Sequence, residues 1–479
     1  MLLSQRTIWK SMEKHAQSMC SRSSSQVCMS AVLKTDAITL DYSHQMVDEM
    51  AIDLLGKLAR ECQIPELVAQ LMTGGPVNHA APALHTALRS FDPTPLWVAH
   101  ADIKLAIAEV REQMQWVSEQ IRKGYWLGDS GRPITDVVNL GIGGSMLGPQ
   151  FCIDALADYC TPTLGFHFIS DFDHAACQRV LRRLDPETTL FIVSSKSFTT
   201  TETLWNAKKV LEWGGYAGFS TQHFIAVTAC VEQARTLGFQ QVLPIWTWVG
   251  GRFSVCSAIN LITCIAIGYE QFLGFLRGAE AMDEHFLTTD VRHNLPMMLA
   301  LLGIWNNNNL KIHTMLVLTY AQSLQGFVPY LQQLEMESNG KSIDKQGREV
   351  NYATVPVIWG GSGNQAQHSY FQLLSDGTHR LCIDLISLTS LDNQVVEQHK
   401  EALFWDEKEE AYPNSFIPCN HIQLVDNSPY ALGSLIALYE HKVFVQAMIW
   451  NINPFDQPGV EKMKAKMKQG ASHRASMTL

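Results

Sequence analysis

The chain has 479 residues, 46% of them hydrophobic, which is enough to bury the cores of two or three domains. Its 36 Lys and Arg against 46 Asp and Glu leave a net charge of −10, and no long basic run interrupts that balance. This excludes broad nucleic-acid binding and leaves room for an enzyme that gathers a few cations around an anionic substrate. Eleven cysteines are scattered from Cys20 to Cys419 with no CxxC pair, which argues against a disulfide framework or a zinc site of the usual spacing and points to a reducing, cytoplasmic setting. The first thirty residues hold no continuous apolar core of signal-peptide length. The most apolar stretches, 255–269 and 295–305, are too short or too polar to cross a membrane, so neither a secreted nor a membrane protein is expected.

Residues 1–97 read as mostly helical, with amphipathic spacing over 8–19 and 46–61 and a boundary near Pro95. Residues 102–123 predict a helix with Ile103, Ile107, Val110, Met114, Val117 and Ile121 on one face. Short apolar runs at 136–140, 165–170, 190–193 and 224–228 then alternate with helical spacing, the pattern of a parallel, doubly wound sheet. After an apolar helical run at 252–276, a second unit has candidate strands at 313–320, 356–360 and 381–386. The expected class is α/β: a helical N-terminal segment (1–97) packing on the larger domain, a smaller doubly wound domain (98–268), a larger one (269–450) and a helical tail (451–479).

Ligands of open parallel sheets bind beyond the carboxyl ends of the strands. Two loops fall at such ends in the first domain. Ser194 to Thr201 is almost entirely hydroxyl, with Lys196 among them, and Thr199 followed by Glu202 has the spacing of a capping box. The loop reads either as a capped turn or as a cradle for an oxyanion such as phosphate. Gly141 to Gly148 approaches a dinucleotide fingerprint, yet Met146 stands where the third glycine belongs and no Gly-Lys-Ser/Thr follows, which leaves close backbone approach and the Ser145 hydroxyl.

Three further clusters carry chemistry-bearing residues. Gly250, Gly251 and Arg252 open a helical run, where a guanidinium can meet developing negative charge or simply form a surface ion pair. Glu335 to Lys341 (EMESNGK) is a dense polar cluster at a helix end, readable as a solvated end or as the place of a general base. Gly360 to His368 (GGSGNQAQH) is a glycine-rich loop after a strand, with His368 opening the next helix. A polar turn, Asn453 to Glu461, leads into a lysine-rich tail.

Taken in order, seven segments resemble the glucose-6-phosphate isomerase (phosphoglucose isomerase) family: GIGGS with LGP at 141–149, SSKSFTTTET at 194–203, VGGRFS at 249–254, EMESNGK at 335–341, QHSYFQLL at 367–374, LIALYEHK at 435–442 and NPFDQPGVE at 453–461. The resemblance implies two sugar-isomerase domains, a homodimer, no cofactor and no metal. It further implies reversible interconversion of glucose 6-phosphate and fructose 6-phosphate through a cis-enediol, in glycolysis and gluconeogenesis. By the same resemblance Ser145, Ser195, Lys196, Ser197 and Thr200 hold the phosphate, while Gly144, Gln333 and Gln457 line the sugar. Glu337 moves the proton between C1 and C2, Arg252 stabilises the enediolate, and His368 and Lys464 serve ring opening and closing, with His368 supplied by the other subunit. A same-fold alternative is isomerisation of a related sugar phosphate such as mannose 6-phosphate; a non-catalytic sugar-phosphate binder is the alternative from another class.

The sequence departs from the family pattern at several places. Met146 stands where Asp is usual, Ser197 where Thr is, and Glu335-Met336-Glu337 where Asp-Met-Glu is. Residues 77–85 (VNHAAPALH) lack the usual Glu and Arg, and Met463-Lys464 replaces the final Gly-Lys, so Lys464 is assigned by its spacing from Gln457.

Overall fold

The computed structural model describes residues 2–19, 31–79, 81–389, 394–404, 416–464 and 466–467. In chain order the strands are β1 (Val32–Lys34), β2 (Ile38–His44), β3 (Trp97–Val98), β4 (Ala101–Asp102), β5 (Asp136–Leu140), β6 (Gly165–Ile169), β7 (Thr189–Ser194), β8 (Phe224–Thr228), β9 (Val242–Pro244), β10 (Thr314–Thr319), β11 (Val357–Ser362), β12 (Cys382–Leu388) and β13 (Cys419–Leu424). Strands β5 to β9 form one parallel sheet in the order β6-β5-β7-β8-β9. Every residue of β7 and β8 is buried, because helices cover both faces, and this is why both strands read in sequence as unbroken apolar runs. The chain leaves β5 toward β6 on one side and returns to β7 on the other, so the strand order reverses between β5 and β7. The loops Gly141–Ser145 and Ser195–Thr200 leave the carboxyl ends of those two strands, at the switch point.

The second sheet has the order β1-β2-β13-β12-β10-β11. Strands β10 to β13 are parallel, while β2 runs antiparallel to β13 and β1 antiparallel to β2. Here the structure corrects the reading of residues 1–97 as a helical segment. Helices Thr7–Met19, Glu49–Glu61 and Ile64–Thr73 are present, but the stretch between the first two is a hairpin that closes the second sheet's edge. Its strand β2 buries Ile38, Leu40 and Tyr42 on one face, an alternation visible in the sequence.

Two other expectations change. The helical run at 252–276 is broken into 3₁₀ turns at Gly251–Phe253 and Ala258–Asn260, a helix Leu261–Ile267 and a helix Tyr269–Thr288, the last two separated by Gly268 at φ 85°. His368 does not open a helix; it lies in a turn between short helices Gly363–Ala366 and Phe371–Asp376. In the tail, 458–464 is helical, and residues 468–479 lie outside the described residues.

The helix Pro429–Ile449 is buried along its length apart from Tyr430, as expected for a helix apolar on all sides. Its few charged residues are paired. Lys442 Nζ donates to Glu335 Oε1 at 2.6 Å, Glu440 receives an Arg89 N–H, and His441 Nε2 lies 2.6 Å from Asp283 Oδ1. Arg89 meets Asp283 through two N–H groups, at 2.7 and 2.8 Å. Glu335 and Arg89 are thus fixed by the helix that carries the LIALYEHK segment. Burial raises the Glu335 carboxyl above its ordinary value, with the Lys442 ammonium opposing.

Candidate active site

The two switch-point loops, the 3₁₀ turn at Arg252, the helix end at Glu337 and the C-terminal turn line one cavity of about 620 Å³. Gly144, Ser145, Ser195, Lys196, Ser197, Thr200, Arg252, Gln333, Glu337, Gln457 and Lys464 all border it. His368 does not; it is exposed, on the far side of β11 in sequence.

The hydroxyl loop is folded around a buried aromatic anchor. Phe198 is fully buried at φ 50°, and its N–H donates to Ser195 Oγ at 3.1 Å, which turns Lys196 and Ser197 outward. Ser195 Oγ and Thr200 Oγ1 lie 3.1 Å apart. The helix that follows, Thr201–Gly214, begins without a side-chain cap from its N-cap residue Thr200. Thr199 is therefore not the cap that its spacing from Glu202 suggested; its hydroxyl donates to Ser197 Oγ at 2.8 Å. A helix start without a side-chain cap presents N–H groups and partial positive charge to the cavity. Thr203 Oγ1, buried there without a partner, adds a hydroxyl that sequence reasoning missed, although its place in the first turn was a signal. Lys196 Nζ is held by the carbonyls of Thr247 and Val249 at 2.9 and 2.7 Å. Burial lowers this ammonium, and the nearby Arg252 charge lowers it further, so an anion seated here restores what those effects remove.

Glycines bring the other walls close. Asn139 at the end of β5 links the loops, accepting from Ser194 Oγ at 3.0 Å and donating to the Ser145 carbonyl at 2.9 Å. A Cβ on Gly144 would lie 2.3 Å from the Gly251 carbonyl, so only glycine lets the 141–145 loop press on the turn that carries Arg252.

Arg252 is 4% exposed and ties its own turn to two distant segments. Its Nε donates to Ser338 Oγ at 2.6 Å, Nη2 to the carbonyls of Pro454 at 2.5 Å and Asp456 at 3.0 Å, and Nη1 to Gln457 Oε1 at 3.3 Å. Nη1 also stands 3.5 Å from Glu337 Oε1. Burial lowers the guanidinium from its usual value while the Glu337 and Asp456 charges oppose, and an arginine stays cationic through such a change.

Glu337 ends the run Gln332–Glu337, which winds as a π-helix after the α-helix Phe327–Leu331. Such wide turns interrupt helices at functional positions and reorient the side chains within them. Gln333 Nε2 donates to Glu337 Oε2 at 2.9 Å, so the carboxylate has an amide on one oxygen and a guanidinium beside the other. Lys341, not singled out from sequence beyond its place in the polar cluster, donates to the Ser338 carbonyl at 2.5 Å and lies 3.4 Å from Asp456 Oδ1. Burial pushes its ammonium down to about 8, with the Arg252 charge as the next cause.

The shortened 77–85 stretch also finds its place here. Asn78 Oδ1 accepts from Asn453 Nδ2 at 2.9 Å, and buried His85 packs against Phe253 at 4.9 Å between ring centroids. Among the described residues no group of three or more His, Cys, Asp or Glu side chains is arranged to hold a metal ion, and no helix is long and apolar enough to cross a membrane.

The cavity thus combines an oxyanion cradle at one helix start with a carboxylate and a guanidinium within ion-pair reach of each other. That set suits a phosphorylated substrate from which a carbon-bound proton is removed. Comparison with known proteins gives the same direction. The family model for phosphoglucose isomerase matches residues 41–407 and 411–477. A glucose-6-phosphate isomerase of Legionella pneumophila (strain Lens) is 52% identical over 444 residues, covering 91% of this chain and 89% of its own. One from Hahella chejuensis is 38% identical over 501 residues, covering 95% and 90%. The crystal structure of a glucose-6-phosphate isomerase from Chlamydia trachomatis superposes with a TM-score of 0.87 at 30% identity, over 99% of this chain and 97% of that one. By its family model and these full-length relatives, the chain belongs to the phosphoglucose isomerase family.

Proposed function

We propose that the chain interconverts D-glucose 6-phosphate and D-fructose 6-phosphate, in glycolysis and gluconeogenesis, at the cavity between the two switch-point loops and Glu337. The observation that carries this reading is the single cavity shared by the hydroxyl-and-lysine cradle and the Glu337–Arg252 pair. The 6-phosphate lies against Ser145, Ser195, Lys196, Ser197 and Thr200, and binding energy at that remote group positions C1 and C2 at the base. Gly144, Gln333 and Gln457 line the sugar.

The Glu337 carboxylate takes the C2 proton of open-chain glucose 6-phosphate. The electron pair of that C–H bond becomes the C1–C2 double bond of a cis-enediolate, whose negative charge faces the Arg252 guanidinium. A proton passes from O2 to O1, which moves the charge to O2, and return of the proton from Glu337 to C1 then gives fructose 6-phosphate. C1 is reduced as C2 is oxidised, so the electrons balance within the substrate and no external acceptor takes part. His368 and Lys464 serve ring opening and closing, when the C1–O5 bond breaks and a proton passes from the O1 hydroxyl to O5. His368 reaches the site from the second subunit of a homodimer, which agrees with its exposed turn outside its own chain's cavity. The nine cysteines among the described residues are not joined in disulfides, which suits a reducing cytoplasm.

A coupled assay with fructose 6-phosphate, run beside mannose 6-phosphate, tests the proposal. Glucose 6-phosphate is the expected product from the first substrate, with the second converted far more slowly. No turnover of fructose 6-phosphate, or faster turnover of mannose 6-phosphate, overturns the assignment.

A further inference from the structure

A second cavity, of about 460 Å³, lies among the start of the chain, the loop after Lys341 and the end of the buried helix Pro429–Ile449. Leu3, Leu67 and Met448 give it an apolar wall, and Arg6, Lys345 and Arg348 bring three cations to it. Its one carboxylate, Asp344, is already matched. Arg348 Nη2 lies 2.7 Å from Asp344 Oδ2, and the other oxygen accepts the N–H groups of Gln346 and Arg348 at 2.9 and 2.8 Å.

Arg6 and Lys345 are then surplus positive charge. Arg6 Nη1 donates to the Glu61 carbonyl at 2.9 Å, and Lys345 Nζ lies 3.5 Å from the Val77 carbonyl and 3.0 Å from Met448 Sδ. Among the described residues, neither has a carboxylate within ion-pair distance. A lysine ammonium drawn in against a thioether without a counter-charge is unfavourable, and an anion relieves that cost. Burial alone pushes Lys345 down to about 8.

We propose that this cavity is a second anion site, which takes a small organic phosphate with its phosphoryl group between Arg6 and Lys345 and its carbon skeleton on Leu3, Leu67 and Met448. The site stands apart from the isomerisation cavity in its lining residues but is joined to it through the backbone. Lys345 N–H donates to the Asn451 carbonyl at 2.8 Å. Asn451 leads into the 454–457 turn that holds Arg252, and Lys341, four residues before Lys345, pairs with Asp456 in that turn.

The test is calorimetric titration of the full chain at pH 7 with inorganic phosphate and, separately, with n-propyl phosphate. Wild type, Lys196→Met and Lys345→Met are compared. Wild type is expected to bind a second equivalent beyond the one that Lys196→Met removes, and Lys345→Met is expected to lose only that second equivalent. At the second site n-propyl phosphate should bind at least about tenfold more tightly than inorganic phosphate, the worth of roughly two buried CH₂ groups. A single equivalent in wild type, a second equivalent retained by Lys345→Met, or equal affinity for both probes overturns the proposal. Should Lys345→Met fail to fold, Arg6→Gln, which gives up only one hydrogen bond to backbone, must lose the same equivalent. Loss of binding in Lys196→Met bears on the first cavity alone, so the two sites succeed or fail separately.

Discussion

Ser338 Oγ accepts the Arg252 Nε–H at 2.6 Å, and Ser338 is the residue directly after Glu337. The same guanidinium that faces the Glu337 carboxylate therefore also holds the backbone from which that carboxylate projects. Its remaining N–H groups fasten the 454–457 turn, so one side chain sets the distance between the proposed charge stabiliser and the proposed base.

Glu337→Gln removes the proposed base while keeping the side chain's volume and its contact with Gln333. The rate of isomerisation should fall by about 10²–10⁴-fold with little change in Tm, the usual scale for a lost general base. Arg252→Lys keeps one charge but loses the fork that reaches two distant segments, so kcat should fall by roughly 10²–10³-fold. A coupled assay with thermal melts measures both, and near-normal turnover in folded Glu337→Gln protein refutes the role of that carboxylate.

The proposed supply of His368 from the second subunit is checked by mixing. Inactive His368→Ala and Glu337→Gln chains are unfolded together and refolded at equal concentration. In a two-fold dimer, half the random pairs are hybrids, and each hybrid holds one intact site, so about a quarter of wild-type activity should return. If His368 instead serves its own chain, the mixture stays inactive.

Stability carries a separate expectation at the buried Lys442–Glu335 pair. Lys442→Met strands the Glu335 carboxylate and should cost about 3–5 kcal/mol, read by denaturant unfolding. Adding Glu335→Leu should recover most of that loss, because the paired charges and a matched apolar pair are close in net worth. Independent, additive losses in the double variant would show that the pair is not coupled.

Lys341 gives a pH dependence of definite sign. Its folded value of about 8 lies below the ordinary lysine value of 10.5, so between those values the unfolded chain binds more protons than the folded one. Stability linked to Lys341 therefore rises as pH climbs from about 8 toward 10.5. Relative to Lys341→Met, the wild-type Tm should gain across that window. Parallel Tm curves for the two proteins would contradict the burial of a charged Lys341 beside Arg252.

Much of the first sheet was legible because helices bury both faces of its strands, which forces continuous apolar runs; β5 and β8 fall at the residues that reading named. The strand β13 was not, because Asn420 and His421 are buried polar residues whose partners, Asp384 and Ser387, come from β12. No local pattern announces such a match across the sheet. The helix start at Thr201 also misled, since the Thr199–Glu202 spacing is a local signal while the actual Thr199 partner is Ser197. At the site, the hydroxyl loop was visible from composition. The roles given to Gln333, Gln457 and Lys464 came only through the family resemblance, because a glutamine or a tail lysine carries no signal of its own. Ser338 and Lys341 lay unremarked within a recognised segment, since their work is to hold carbonyls and a guanidinium that come from elsewhere in the chain.

The pairing of β2 with β13 has a consequence for how the protein is made. Leu40 lies beside Ile422, so β2 must wait until synthesis has passed β13 before its partner exists. Until then the edge of β2 that pairs with β13 stays open during synthesis. Nascent chains halted before Cys419 should therefore be cut by protease within the hairpin at 32–44, while the first sheet, whose strands all lie between residues 136 and 244, already resists.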